Sequence, residues 1–159
     1  MSFSADRFQR EPPAIFTRIS CGAARVLLDG PGTELRSALA LRPFLAKPNR
    51  EELGRTVGRR CETDDEIWDA MEELRALGAE WVVVSDGGRC VRALSNSRRL
   101  SLRPPARPVA NPIGCGDCLC AGIAWALRDG QEPVDAIRFG MAAAGDNLSQ
   151  WLPARISLE

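Results

Sequence analysis

The chain has 159 residues, 45% of them hydrophobic and 26% charged, and its formal net charge is zero. That balance allows one globular domain with a real core and supplies no overall attraction to nucleic acid or to an anionic membrane. Histidine and tyrosine are both absent. Histidine triads and histidine metal ligands are thereby excluded, and any general base has to be a carboxylate, a cysteine or the single lysine, Lys47.

No apolar run approaches the length of a membrane span. Residues 1–14 are polar, contain Pro12 and Pro13, and lack the apolar centre of a signal peptide. These features predict a cytoplasmic protein. The arginines between Arg89 and Arg107 are interleaved with prolines rather than aromatics, which predicts a solvated strand pair and loop, not an RNA surface. The six cysteines then read as reduced thiols. Cys115, Cys118 and Cys120 form a C-x-x-C-x-C run without a fourth ligand or a second paired cluster, so a zinc or redox module stands behind other readings. Lys47 is either a compact ammonium kept for its own properties or a chance survivor of an arginine-biased composition.

In chain order, Arg25–Asp29 (RVLLD) is a short apolar run that enters Gly30-Pro31-Gly32, a buried strand followed by a turn. Thr33 is positioned to cap a helix reaching Leu41, with Leu35 and Leu39 inward and Pro43 as its stop. Phe44–Ala46 forms a second short strand. Pro48 opens a helix bearing Asn49, Glu51, Glu52 and Leu53. Thr63 or Asp64 caps a helix over residues 65–77, where Ile67, Met71, Leu74 and Leu77 recur at helical spacing before Gly78. Trp81–Ser85 (WVVVS) is the clearest buried strand, and Asp86-Gly87-Gly88 turns the chain. Residues 90–94 and 100–102 pair as a hairpin. After the extended, proline-rich segment 103–112, helices run from about Gly116 to Arg128 and from Pro133 to about Ser149. This alternation predicts an α/β fold in three layers: a mostly parallel sheet with helices on both faces and a ligand site beyond the C-terminal strand ends.

The segment Asn111–Gly122 reads NPIGCGDCLCAG. An extended approach meets a Gly-x-Gly turn that becomes a helix. Gly114 and Gly116 permit unusual backbone geometry and put no side chain in a ligand's way. The first free amides of the helix then face outward at the positive end of its dipole, an anion hole for a phosphoryl group. Asp117 beside it can accept a proton from an attacking hydroxyl. The other reading of the same residues is a glycine turn with a first-turn acid favouring the dipole. Asn49 and Glu52 likewise read two ways, as acids and amides at a helix start, or as one face of a helix holding waters around Mg²⁺.

The Gly114-Cys115-Gly116-Asp117 turn followed by Ala121-Gly122 resembles the G-A-G-D signature of PfkB (ribokinase-type) carbohydrate kinases, with Cys115 in place of the usual alanine. Lys47–Leu53 (KPNREEL) looks like that family's N-x-x-E segment. The resemblance implies a metal and phosphate role for Asn49, Glu52 and Lys47, a catalytic base at Asp117, and an anion hole over Gly114, Cys115 and Gly116. Trp81–Gly88 resembles the strand and loop lying against the nucleotide, implying contacts from Ser85 and Gly87, although Asp86 replaces an apolar residue there. Arg138–Asn147 (RFGMAAAGDN) resembles the family's last nucleotide-side helix, implying adenine contacts from Gly140, Ala143 and Asn147. VLLDGPG and KPNREEL point toward the phosphofructokinase and tagatose-phosphate kinase branch.

The resemblance covers residues 22–157 and divides the chain into a polar segment, 1–21, and a C-terminal nucleotide-binding kinase domain, 22–159. It implies a ribokinase-like fold without its N-terminal half and lid, because the family is about twice as long. ATP and Mg²⁺ are the expected cofactors. A sugar or sugar phosphate is the expected acceptor, with self-association or pairing with a separate N-terminal half, and no nucleic-acid or membrane partner. Two functions follow, an ATP-dependent sugar kinase or a truncated, catalytically deficient nucleotide-binding or interaction module.

Overall fold

The structure is a computed structural model, and it describes residues 24–154; the polar segment expected over 1–21 lies outside them. The five strands β1 (Leu27–Leu28), β2 (Leu45–Ala46), β3 (Trp81–Asp86), β4 (Cys90–Leu94) and β5 (Arg99–Leu102) form one sheet in the order β1-β2-β3-β4-β5. β1, β2 and β3 are parallel neighbours, while β4 pairs antiparallel with both β3 and β5. Four strands therefore run one way and β4 alone runs against them.

Side chains of a strand alternate between its two faces, and the apolar sequence of β3 exploits both. Val82 and Val84 face α1 (Gly32–Ala38), α2 (Arg50–Val57) and α3 (Asp64–Ala76), packing with Leu35, Leu53, Ile67, Met71 and Leu74. Trp81 and Val83 face α4 (Cys115–Arg128) and α5 (Pro133–Leu148), packing with Leu119, Ile123, Ile137 and Met141. Both faces are covered, as the strand-helix alternation predicts. Each fully buried aliphatic side chain contributes about 1.5–3 kcal/mol, and Val82, Val83, Val84, Leu74, Ile123 and Ile137 are all at 0% exposure.

Two helix starts differ from the sequence expectation. Thr33 does not cap α1; Pro31 occupies the N-cap position. The Thr33 hydroxyl turns to Glu34 at 3.2 Å, and the Gly32 amide is met instead by Thr56 Oγ1 of α2 at 3.0 Å. A neighbouring helix thus supplies the cap. Residues 39–41 tighten into a 3-10 turn after α1. Pro48 does not open α2. Asn49 is its N-cap, accepting from the Glu52 amide at 2.9 Å while Glu52 Oε2 accepts from the Asn49 amide at 2.8 Å. The same reciprocal box, Thr63 with Glu66, starts α3.

Leu74→Ala should lower stability by about 2–5 kcal/mol through lost burial and a residual cavity, whereas Thr63→Ala should cost about 1 kcal/mol through the lost cap. Urea midpoints at unchanged m-value measure both.

Candidate active site

Parallel strands bring their C-terminal ends to one edge. Asp29 follows β1, Lys47 follows β2, and Ser85 and Asp86 end β3. The Ser85 amide donates to Pro48 O at 3.4 Å, which draws the start of α2 to this edge. The N-terminus of α4 arrives from the other face. Together they bound a cleft of about 1300 Å³ whose wall includes Asp29, Lys47, Glu52, Ser85, Gly87 and the turn Gly114–Asp117.

The turn is built for exposed amides. Gly114 is the N-cap of α4 with φ +82°, a left-handed conformation that costs a side-chain-bearing residue about 1–2 kcal/mol, and no side chain caps the helix. A Cβ at Gly114 would also stand 2.9 Å from the Ala154 nitrogen. The Cys118 amide makes the first intrahelical bond, to Gly114 O at 2.9 Å, and the Cys115 amide leans on Pro112 O at 3.4 Å. The amides of Gly116 and Asp117 fall in the first turn, where a helix offers no internal acceptor. No group among the described residues caps them.

What fixes this turn is Asn147. Its side chain is at 0% exposure, and Nδ2 donates to Ile113 O at 3.0 Å and to Cys115 Sγ at 3.2 Å. Asn111 completes the clamp: Oδ1 accepts from the Ile113 amide at 3.0 Å, and Nδ2 donates to Trp151 O at 3.0 Å.

Lys47 lies beneath the turn at 2% exposure, 3.0 Å from Asp29 Oδ1 and 3.7 Å from where a Cβ on Gly116 would stand. A Cβ at 116 would meet the ammonium at ordinary van der Waals distance. Burial holds the Asp29 carboxyl above the usual carboxylate range; Lys47 pulls it back down, and the charges of Glu52 and Asp117 push it up. The Lys47–Asp29 pair thus lies within electrostatic reach of two further carboxylates, Glu52 and Asp117. Among the described residues no three His, Cys, Asp or Glu side chains form a direct metal cage. Asp86 is neutralised by Arg89 Nη2 at 2.8 Å and Arg50 Nη1 at 3.6 Å, so the acid in the loop after β3 adds little net charge to the cleft.

Three of the expected nucleotide-side residues lie off the cleft wall. Gly140 and Ala143 do not face the cleft. Gly140 lies where a Cβ would meet Leu119 O at 2.5 Å, and Ala143 packs near Gly122 of α4. Asn147 faces the same way. These three share the α4-facing side of α5, and the cleft is lined instead by Met141, Ala144, Gly145 and Leu148, one step around the helix. Asn49 is the N-cap of α2 rather than a residue on its helical face, and the capping box holds it against Glu52, both on the cleft wall. Ser85, Gly87, Asp117, Lys47, Gly114, Cys115 and Gly116 all border the cleft. Asp29 was not among the sequence candidates. The available signal was its place at the end of an apolar strand before Gly30-Pro31-Gly32.

Asn147→Ala should cost about 1–3 kcal/mol, the price of leaving buried polar atoms unsatisfied, read as a lower urea midpoint. For Asp29, the folded carboxyl titrates above 3.8. The folded state therefore binds more proton in that window, and this group's stabilising contribution is complete below 3.8 and lost as pH rises through the folded value. Asp29→Asn should gain on the native chain over that rise in paired denaturation curves. A gap that moves against the asparagine would show that the Lys47 attraction outweighs burial.

Compared with known proteins, the chain is similar to the 1-phosphofructokinase of Rhodobacter capsulatus, 35% identical over 129 residues, covering 79% of this chain and 41% of that protein. The Vibrio cholerae 1-phosphofructokinase is 32% identical over 126 residues, covering 79% and 40%. The chain thus spans 41% and 40% of the length of these curated relatives. Among solved structures, Escherichia coli phosphofructokinase-2 in complex with potassium superposes with a TM-score of 0.74 at 28% identity, covering 79% of this chain and 41% of that one. Arabidopsis thaliana ribokinase complexed with ribose and ATP shares the fold, with a TM-score of 0.76 at 24% identity over 87% of this chain and 46% of that one. Residues 22–150 match the pfkB family of carbohydrate kinases, and this chain, with its glycine-capped helix over a strand-end cleft, belongs to that family.

Proposed function

We propose that the chain is the nucleotide-side portion of a phosphofructokinase-like enzyme that moves the terminal phosphoryl group of ATP to a hydroxyl of a sugar or sugar phosphate. The observation that carries this reading is the set of uncapped first-turn amides at Gly116 and Asp117, opening on the same cleft as the Asp117 carboxylate and the Lys47 ammonium.

Each group has a role that phosphoryl transfer needs. The amides and the positive end of α4 stabilise negative charge on the migrating group. Asp117 takes the proton of the attacking hydroxyl. Lys47, held by Asp29, places a buried positive charge beneath the phosphate path. Ser85 and Gly87 border the nucleotide side, and Ala144, Gly145 and Leu148 supply an apolar wall for a purine.

The donor chemistry suits Mg²⁺. Glu52 and Asp117 lie close enough to Asp29 to push its carboxyl up, yet among the described residues the three form no direct three-ligand cage. Such a set would fit an ion that keeps most of its water. Glu52 retains Oε1 for that purpose. When bound, the ion neutralises charge on the phosphates.

A second reading is a nucleotide-binding module that requires a separate chain for turnover. It is favoured by β1, a two-residue strand at the edge of the sheet among the described residues, whose open side is available for pairing. No helix among the described residues is long and apolar enough to cross a membrane.

ATP consumption with fructose 1-phosphate and with fructose 6-phosphate, measured beside nucleotide binding, separates the two readings. In whichever assembly turns over, Asp117→Asn should reduce kcat by about 10²–10⁴-fold with nucleotide affinity nearly unchanged. Retained turnover removes Asp117 from the base role.

A further inference from the structure

The cysteine run at the start of α4 has no part in the chemistry above, and its geometry is specific. Cys115 is the first residue of α4; Cys118 is one turn on. Two residues three apart in an α-helix are separated by about 4.5 Å along the axis and about 60° around it, which puts their Cα atoms about 5 Å apart. A disulfide requires Cα atoms roughly 4.4–6.8 Å apart and Cβ atoms about 3.5–4.5 Å apart; Cβ atoms at this spacing on a helix stand about 5–6 Å apart, so closure has to tighten the first turn of α4. Both side chains also lean over the same side of the helix.

The surroundings select this pair over the others. Cys115 borders the cleft and is half-buried, and Cys118 lies beneath it at 3% exposure. The groups bearing on the Cys118 thiol, which its burial pushes up, are Cys115, Asp117 and Asp146. Those bearing on Cys120 are Asp29, Lys47 and Asp117, toward the strand ends. Cys120 thus points around the helix from the other two. No cluster of three metal-ligating side chains exists among the described residues, so these thiols have no metal cage to join.

We infer that Cys115 and Cys118 are a redox-active dithiol that closes reversibly into a disulfide across the first turn of α4. Cys115 is the entry point because it faces the cleft. With glutathione disulfide as oxidant, the Cys115 thiolate attacks one sulfur, the glutathione S–S bond breaks, and one glutathione thiolate leaves. The Cys118 thiolate then attacks the Cys115 sulfur and expels the second. The two protons shed by the cysteines end on the two glutathione thiolates, so the protein loses two hydrogens and one disulfide becomes two thiols. Closure turns Cys115 Sγ toward Cys118 and away from Asn147 Nδ2, now 3.2 Å distant. The redox state is thereby coupled to the clamp that sets the amides of Gly116 and Asp117. This inference stands on thiol geometry and does not rest on the phosphoryl-transfer reading.

The test is incubation of the full chain with glutathione disulfide at alkaline pH, followed by thiol titration and peptide mapping. The expected result is loss of two of the six thiols, a Cys115–Cys118 linkage reversed by dithiothreitol, and movement of the Gly116 and Asp117 amide resonances that reverses with it. Cys115→Ala and Cys118→Ala should each abolish the linkage, and Cys120→Ala should leave it intact. Cys115→Ala, at a half-buried position, serves alone if the buried Cys118 variant does not fold. The inference is overturned if glutathione remains on Cys115 with Cys118 free, if Cys118 links to Cys120, if no thiol is lost, or if the amide resonances do not move.

Discussion

The site depends on how closely α4 can approach α5. Gly122 and Gly140 meet at the crossing, where a Cβ on Gly122 would stand 2.7 Å from the Gly140 Cα. No side chain fits there, so the two backbones touch. This contact seats α4 deep enough that its N-terminus overhangs the ends of β1 and β2, and it brings the end of α5 within reach of the turn. Asn147 can then span from one helix to the loop before the other. A methyl group at either glycine would push the helices apart and draw the turn away from Lys47.

The electrostatics follow from that seating. A buried ammonium is costly unless paired, and Lys47 is paired with Asp29. Lysine supplies a compact point charge in a space that arginine's planar guanidinium would overfill. The biased composition thus has a structural counterpart, since the chain's one lysine is the basic side chain beneath the turn. On the rim, arginines hold Asp86 and leave the loop after β3 without a free acid.

The thiols show a third consequence of the same turn. Cys115, the first residue of α4, puts sulfur where the Asn147 amide can donate to it. Cys118 below it is buried and belongs to the helix's packed side.

Much of this was legible from local pattern. The valines of β3, the helical spacing of Ile67, Met71 and Leu74, the Thr63 cap and the Gly114–Asp117 turn all rest on interactions within a few residues, and they stand where the sequence places them. The same is true of the three-layer arrangement, because an apolar strand flanked by amphipathic helices needs both faces covered. What the sequence left open was decided by contacts between distant segments. Thr56 rather than Thr33 caps α1 because α2 happens to lie alongside. Gly140, Ala143 and Asn147 turn toward α4, and their neighbours toward the cleft, because a helix's rotation is set by its partner's surface and periodicity cannot supply that angle when small residues occur on both sides. Asp29 joins the site because parallel pairing aligns strand ends separated by many residues, a proximity that exists only once the sheet has formed.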